Sequence, residues 1–255
     1  MYGICHLSLV PCRKEPSNTS EMVTQLMFGE AFTIIAEEEE WIKIKTLVDE
    51  YESWINRKQF IAIKEGTFKD LQKSKYPVVS SITESIHNKI SDHAMTLVMG
   101  SYLPKLKDKS VVLENLEYEF KGVCVKQDFK SNTTLLIETA KKFLHAPYLW
   151  GGKTILGIDC SGLTQIVFRA NGFNLPRDAY QQAEIGTALS FVEEALPGDL
   201  AFFDNEDGKI VHVGIVMENQ QLIHASGQVR IDKFDHYGIF PVSYTHLTLP
   251  TNREV

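Results

Sequence analysis

The chain has 255 residues, 44% of them hydrophobic, and carries a net charge of −7 at pH 7. These values suit a folded protein of two or three small domains, and no stretch approaches the ~20 consecutive apolar residues that span a bilayer. The negative charge argues against nucleic acid or an anionic membrane surface as a partner. Four cysteines without a disulfide-like spacing favour a reducing compartment.

The N-terminal residues are predicted to begin a folded domain. Residues 4–10 are mildly apolar, but this run is too short for a secretory core and no basic residue precedes it. Pro11 stands before Cys12, where a lipoprotein signal would place a small residue. We therefore interpret residues 1–12 as a first strand and expect a cytoplasmic protein.

Residues 1–66 show short strand patterns separated by tight turns, at 32–36, 41–46 and 52–55. Such spacing predicts a small β-barrel. The acidic run at 37–40 is interpreted as a solvated turn, with a cation site as the alternative. The segments at 29–30, 41–44 and 51–55 together resemble a bacterial Src-homology-3-type domain.

Residues 67–128 are predicted to form a second, degenerate small β-barrel. Strand patterns occur at 78–82, 96–99, 111–113 and 118–125, with Gly100 and Pro104 interrupting the middle. After this region, residues 138–144 have the pattern of a helix that ends before Pro147. We take that helix as the first element of a third domain, residues 129–241.

The segment 159–163, Asp-Cys-Ser-Gly-Leu, contains the candidate nucleophile, Cys160. Apolar residues recur at helical spacing from Leu163 to Ala170, and Asn171-Gly172 ends the helix. Cys160 therefore lies at a helix N-terminus, where unpaired N–H groups and the helix dipole favour a thiolate. The alternative is a small buried hydrophobe, which is our interpretation of the other three cysteines.

Two histidines follow in strand-like surroundings, His212 in the run 210–217 and His224 in the run 222–225. Residues 219–221 read as a hairpin turn, which would bring the two histidines together. One can then act as a base for Cys160 and the other can orient it. The chain has no Cys-x-x-Cys and no His-x-x-x-His, so we expect no metal and no cofactor.

The C-terminal residues 242–255 are predicted not to be native. The letters Val-Ser-Tyr-Thr-His-Leu-Thr-Leu-Pro-Thr at 242–251 resemble a translated sequencing-adapter read-through. An ordinary C-terminal strand is the alternative. We exclude this tail from the fold and expect no function for His246.

Five blocks in order, at 157–163, 175–179, 196–203, 211–216 and 222–226, resemble those of NlpC-type cysteine peptidases. The resemblance spans roughly residues 130–240. It implies an α+β fold, with a papain-like peptidase domain preceded by one or two small β-barrels. It also implies that Cys160 is the nucleophile, His212 the base and His224 the orienting third residue.

The same resemblance implies roles for two aromatic residues before the nucleophile. Tyr148 falls where the family has an oxyanion-stabilising or substrate-orienting hydroxyl, and Trp150 is counted with it as substrate-binding. Without the resemblance, both residues would be interpreted as core aromatics.

The order of domains resembles that of the cytoplasmic γ-D-glutamyl-L-diamino-acid endopeptidases, of the dipeptidyl-peptidase VI type, that recycle cell-wall peptides. This resemblance implies cleavage between γ-D-glutamate and lysine or diaminopimelate, in peptides with a free N-terminal L-alanine. Which of the two diamino acids is preferred stays open. A broader murein hydrolase, a thiol-dependent amide transferase and a non-catalytic cell-wall-binding protein are the alternatives.

A free amino terminus requires an acidic group to receive the substrate ammonium. The candidates are Asp159, Asp178 and Glu52 from the first barrel, and Arg177, beside Asp178, is counted as substrate-binding. Asp178 could instead cap a helix and Glu52 could be a surface charge. Ser161 is a candidate for contact with the substrate backbone, with helix capping as its alternative role.

Overall fold

The structure is a computed structural model that describes residues 1–126 and 132–240. Within these ranges the chain forms twenty β-strands and four α-helices. The predicted boundary at 128–129 and the predicted non-native tail at 242–255 lie outside the described residues. None of the helices in these two ranges is long and apolar enough to cross a bilayer.

The first barrel consists of seven strands in one sheet, in the order β3-β2-β6-β5-β4-β1-β7. Their bounds are β1 (Tyr2–Ile4), β2 (Leu9–Arg13), β3 (Met22–Met27), β4 (Ala31–Glu38), β5 (Trp41–Thr46), β6 (Glu52–Asn56) and β7 (Ile61–Ile63). Period-two burial along β5 turns Ile42 and Ile44 inward, where they pack with Cys5, Cys12 and Phe32. The single strand predicted at 1–12 is two strands, β1 and β2.

The segment predicted to form a second barrel folds into two small sheets, and we keep the name second barrel for it. Its elements are α1 (Glu65–Lys73), β8 (Val78–Val79), β9 (Thr83–Asn88), β10 (His93–Val98), β11 (Ser110–Leu113), β12 (Leu116–Phe120) and β13 (Cys124–Val125). Strands β10-β9-β12-β11 form one sheet, and β13 pairs with β8 in another. The one long strand predicted at 118–125 is therefore wrong, because residues 121–123 separate two strands that join different sheets.

The third domain packs helices against a five-stranded antiparallel sheet in the order β16-β17-β18-β19-β20. Its elements are α2 (Thr133–Lys141), β14 (Lys153–Thr154), β15 (Gly157–Ile158), α3 (Cys160–Ala170), α4 (Ala179–Glu184), β16 (Leu200–Asp204), β17 (Ile210–Met217), β18 (Gln221–Ser226), β19 (Gln228–Asp235) and β20 (Gly238–Phe240). The apolar side chains of α3 predicted to face a core, including Leu163 and Ile166, lie against Ile215 and Ile223 of the sheet.

The barrels and the third domain share buried contacts. Met27 of the first barrel and Met99 of the second belong to the same apolar cluster as Ile166 of α3. Arg169, near the end of α3, is buried and forms an ion pair with Glu30 of the first barrel at 2.6 Å. The helix that begins at Cys160 is thus anchored to the first barrel at its far end.

Candidate active site

Cys160 is the first residue of α3, and Asp159 caps this helix. The Asp159 carboxylate accepts the N–H of Gly162 at 2.6 Å. A Cβ at Gly162 would lie 2.4 Å from the carbonyl oxygen of Gly152, so only glycine lets the preceding loop approach the helix this closely. The loop and the cap together place the sulfur at the helix N-terminus.

Cys160 is 7% exposed. Its side chain packs against Val213 of β17, the residue after His212. Burial raises the pKa of the Cys160 thiol to about 11, and the nearby Asp159 charge adds to this. The N–H groups of Val213 and Ser161 and the Arg177 guanidinium lower that pKa but do not offset burial. Burial thus opposes the thiolate that the helix start favours, and a base that accepts the proton would assist its formation.

His212 and His224 are brought together by the pairing of β17 with β18. Gly214 pairs with His224, so His212, two residues before Gly214, lies diagonally across the same face. His212 Nε2 and His224 Nδ1 are 2.8 Å apart, and both residues are 3% exposed. His224 therefore holds the Nε2 side of the His212 ring and leaves Nδ1 of His212 on the other side.

The burial of both rings disfavours their charged forms. Burial, with the neighbouring His224, lowers the pKa of His212 to about 4. Burial also lowers the pKa of His224, although Asp232 opposes this change. A neutral His212 is the form that can accept a proton from Cys160.

Asp232 of β19 extends this arrangement and was not found from the sequence. Its Oδ2 atom lies 3.1 Å from His224 Nε2, and the carboxylate is 3% exposed. In the pairing of β18 with β19, Leu222 faces Asp232 and His224 faces Arg230, so Asp232 shares the face of His224. A hairpin with its turn at Gly227 would have given this position, because it pairs β19 with β18.

Asp159 and Arg177 bind each other rather than facing a substrate. Arg177 reaches both carboxylate oxygens of Asp159, at 3.1 and 2.5 Å, and both residues are buried. Arg177 Nε also donates to Thr24 of the first barrel at 2.9 Å. The predictions that Asp159 receives the substrate ammonium and that Arg177 binds substrate are corrected, because a bidentate ion pair already neutralises both groups.

Ser161 belongs to the same buried network. Its hydroxyl accepts a hydrogen bond from Arg177 at 2.8 Å and lies 3.4 Å from Asp159. Ser161 is 6% exposed, and the helix cap is Asp159, so the capping role of the Ser161 hydroxyl is wrong, whereas its contact with the substrate backbone stays a prediction. It holds the Arg177 guanidinium beside the nucleophile.

Tyr148 and Trp150 occupy different positions relative to the sulfur. Tyr148 lines an open pocket of about 240 Å³ together with His212 and residues 225–227. Burial raises the pKa of Tyr148 to about 12, and the charges of Cys160 and Asp159 add to this, so the phenol stays protonated as a donor. Trp150 is exposed, and its indole N–H donates to Glu21 of the first barrel at 2.7 Å.

Glu52 does not join this cluster, and its predicted role is corrected. Its exposed carboxylate forms an ion pair with Lys43 of the neighbouring strand at 2.7 Å. The preceding residue, Tyr51, contacts the peptidase domain instead. Its hydroxyl hydrogen-bonds with Asp178. Burial raises the pKa of Asp178, which lies at the start of α4.

A thiol at a helix N-terminus beside two linked strand histidines, in an α+β domain, is the arrangement of a cysteine peptidase. Comparison with known proteins agrees with this class. Residues 145–245 match the NlpC/P60 family, and residues 12–60 match the bacterial dipeptidyl-peptidase Sh3 domain.

Individual relatives cover most of the chain. The gamma-D-glutamyl-L-lysine dipeptidyl-peptidase of Bacillus subtilis is 30% identical over 218 residues, 79% of this chain and 71% of the relative. Dipeptidyl-peptidase 6 of Lysinibacillus sphaericus is 26% identical over 246 residues, 87% of each chain. A crystal structure of an NlpC/P60 family protein from Bacillus cereus has the same fold, with a TM-score of 0.78 at 22% identity over 91% of this chain and 93% of that one.

The chain therefore belongs to the NlpC/P60 family and is a cysteine peptidase with an N-terminal bacterial Src-homology-3 domain. The resemblance, the α+β fold class and the enzyme class predicted from the sequence are confirmed. The alternative of a non-catalytic cell-wall-binding protein is set aside.

Proposed function

We propose that this peptidase hydrolyses the γ-D-glutamyl–L-lysine or γ-D-glutamyl–diaminopimelate bond of cell-wall peptides that carry a free N-terminal L-alanine. The name of the Bacillus subtilis relative supports the γ-D-glutamyl bond as the one cleaved. The requirement for a free amino terminus on the substrate is supported by the charges and contacts where the first barrel meets the peptidase domain.

In this proposal Cys160 attacks the γ-carbonyl carbon, and Nδ1 of His212 takes the thiol proton as the C–S bond forms. The protonated His212 then gives that proton to the leaving amine, and the C–N bond breaks to leave a thioester on Cys160. Water, deprotonated by His212, hydrolyses the thioester and restores the thiol. The 2.8 Å contact between His212 and His224 supports an orienting role for His224. Tyr148, protonated and beside Cys160, is placed to donate to the developing oxyanion.

The observation that carries the substrate proposal is the contact of the first barrel with one end of this site. Tyr51 of the barrel hydrogen-bonds with Asp178, and Glu21 of the barrel accepts from Trp150. A papain-like groove that is closed at one end suits a short peptide terminus. We assign the substrate ammonium to the carboxylate of Asp178, because Arg177 bonds both oxygens of Asp159, whereas Arg177 acts on Asp178 as a nearby charge and the Tyr51 hydroxyl is a hydrogen-bond partner of Asp178.

The test compares L-Ala-γ-D-Glu-L-Lys and its diaminopimelate analogue, each with a free and an acetylated amino terminus. A charge-assisted hydrogen bond contributes about 1.5–3 kcal/mol, so acetylation is expected to lower kcat/KM on the order of 10–150-fold. Asp178→Asn should reduce this preference for the free amine. Glu52→Gln is the matched control, since Glu52 lies one residue from Tyr51 but pairs with Lys43, and it should keep the full preference.

Two results would overturn the proposal. Equal cleavage of free and acetylated peptides would favour a broader murein hydrolase. An unchanged preference in Asp178→Asn would assign the ammonium to another group, for which Glu21 is the next candidate. The ratio of the two diamino-acid substrates measures the preference that the sequence leaves open.

We also propose that the enzyme acts in the cytoplasm on recycled peptides. All four cysteines are free, and Cys5 and Cys12 are buried as thiols, which suits a reducing compartment. Detection of the protein in the periplasmic or secreted fraction of its host, and not in the cytosol, would contradict this location.

A further inference from the structure

We propose that Asp232 is a positioning residue that fixes the ring tautomers of His224 and His212, and so keeps Nδ1 of His212 unprotonated. This inference rests on the roles proposed above for Cys160, His212 and His224. Asp232 touches neither the sulfur nor the substrate, and it acts through the two histidines.

Asp232 is held as an ionised acceptor in a buried position. Arg230 Nε lies 2.7 Å from its Oδ2 atom, and Arg230 Nη2 donates to Oδ1 at 2.9 Å. A guanidinium can only donate, so both carboxylate oxygens serve as acceptors. Oδ2 also lies 3.1 Å from His224 Nε2, and both side chains are 3% exposed.

The Asp232 carboxylate sets the direction of each hydrogen bond in the series Asp232–His224–His212. Since Asp232 can only accept, His224 Nε2 carries the proton of that bond. A neutral His224 then has a bare Nδ1, which must accept from His212 Nε2 across 2.8 Å. A neutral His212 that is protonated on Nε2 has a bare Nδ1, which is the base that Cys160 requires.

Without Asp232, the hydrogen bond between His224 and His212 could also run in the opposite direction. His224 could then carry its proton on Nδ1 and donate to His212 Nε2. That bond would place the proton of neutral His212 on Nδ1, where it blocks acceptance of the thiol proton. The residue missed in the sequence would thus decide whether the predicted base works.

The first experiment measures tautomers directly. In protein labelled with ¹⁵N at the histidine rings, the wild type should show both His212 and His224 protonated on Nε2 at neutral pH. Asp232→Ala should show a mixture of Nδ1-H and Nε2-H forms at both rings. Asp235→Ala, on the same strand but in an exposed turn contact with Tyr237, is the matched control and should match the wild type.

The second experiment measures the base without any peptide. The alkylation rate of Cys160 by iodoacetamide at neutral pH should fall on the order of 10–100-fold in Asp232→Ala, the effect of losing an outer orienting partner. Asp232→Asn should lose less, because its amide oxygen can occupy the Oδ2 position between Arg230 and His224. In the His224→Ala background, Asp232→Ala should have no further effect.

The inference is overturned if both rings keep the Nε2-H form in a folded Asp232→Ala protein, or if its effect adds fully to that of His224→Ala. Circular dichroism of each variant identifies a folding failure, and Asp232→Asn then provides the test. These readouts do not use the cell-wall peptide, so a wrong substrate assignment would leave them unchanged. A wrong catalytic assignment would instead appear as Cys160 alkylation that does not depend on His212.

Discussion

At the scale of single residues, reactivity depends on the proton of Cys160. Burial raises the pKa of this thiol to about 11 and lowers that of His212 to about 4, so burial opposes the charged form of both groups. In the proposed mechanism, transfer of the proton to His212 therefore accompanies attack on the substrate. Cys5 and Cys12 are buried in the first barrel, and burial raises the pKa of both thiols.

Removal of the base should move the alkylation profile of Cys160 toward alkaline pH. The thiolate is favoured above its pKa, so in His212→Ala the rate should stay low at neutral pH and rise toward about pH 11. The wild type should react at neutral pH. Peptide-level mass spectrometry at a series of pH values checks this, with the exposed His236→Ala as control. Identical profiles for His212→Ala and wild type would show that His212 is not the base.

The sequence was sufficient to predict that Cys160 lies at a helix start and that His212 and His224 are neighbours, because helix periodicity and strand pairing determine these positions. It was not sufficient for the carboxylates. A carboxylate next to a nucleophile looks the same in sequence whether it caps a helix, as Asp159 does, or meets a substrate. The ion pair with Arg177, which comes from a separate loop, distinguishes these two roles.

At the scale of elements, α3 begins with the candidate nucleophile and contacts the first barrel through polar residues further along. Cys160 lies at its N-terminus, while Gln165 donates to Asp49 of the first barrel at 2.9 Å and Arg169 pairs with Glu30 at 2.6 Å. The helix itself was predictable from its apolar spacing. Its polar contacts were not, since Gln165 and Arg169 on a helix normally indicate a solvated face.

The β18–β19 hairpin could also be predicted only in part from the sequence. The strand that carries His224 was predicted, but its partner was not, and the partner supplies Asp232. In the second barrel, the predicted strand at 118–125 divides at residues 121–123, because β12 and β13 pair with different strands. Local propensity gives no information on which partner a strand will choose.

At the scale of the whole molecule, buried charges join the first barrel to the peptidase domain. Glu30 pairs with Arg169 and lies 3.6 Å from Lys153, and all three side chains are almost fully buried. Arg169 also lies over the ring of Tyr102 from the second barrel, with 5.0 Å to its centroid. Such a network places the barrel wall and the catalytic helix in one relative position.

Glu30→Gln should destabilise the protein strongly. It removes the counter-charge of two buried cations, and breaking a buried pair on one side costs about 3–5 kcal/mol. Glu37→Gln, which breaks an exposed 2.7 Å pair with Arg57, is the matched control and should cost less than about 1 kcal/mol. Denaturant unfolding curves of the two variants measure the difference. Equal small effects would show that the buried pair does not hold the domains together.

We propose that Cys160 takes the γ-D-glutamyl group as a thioester. The direct measurement is intact-protein and peptide mass spectrometry after rapid acid quenching of the enzyme with L-Ala-γ-D-Glu-L-Lys. We predict an L-Ala-γ-D-Glu adduct on Cys160 in the wild type, with free lysine released, and neither product with Cys160→Ala. Lysine release by Cys160→Ala at the wild-type rate, or an adduct on another residue, would contradict the account.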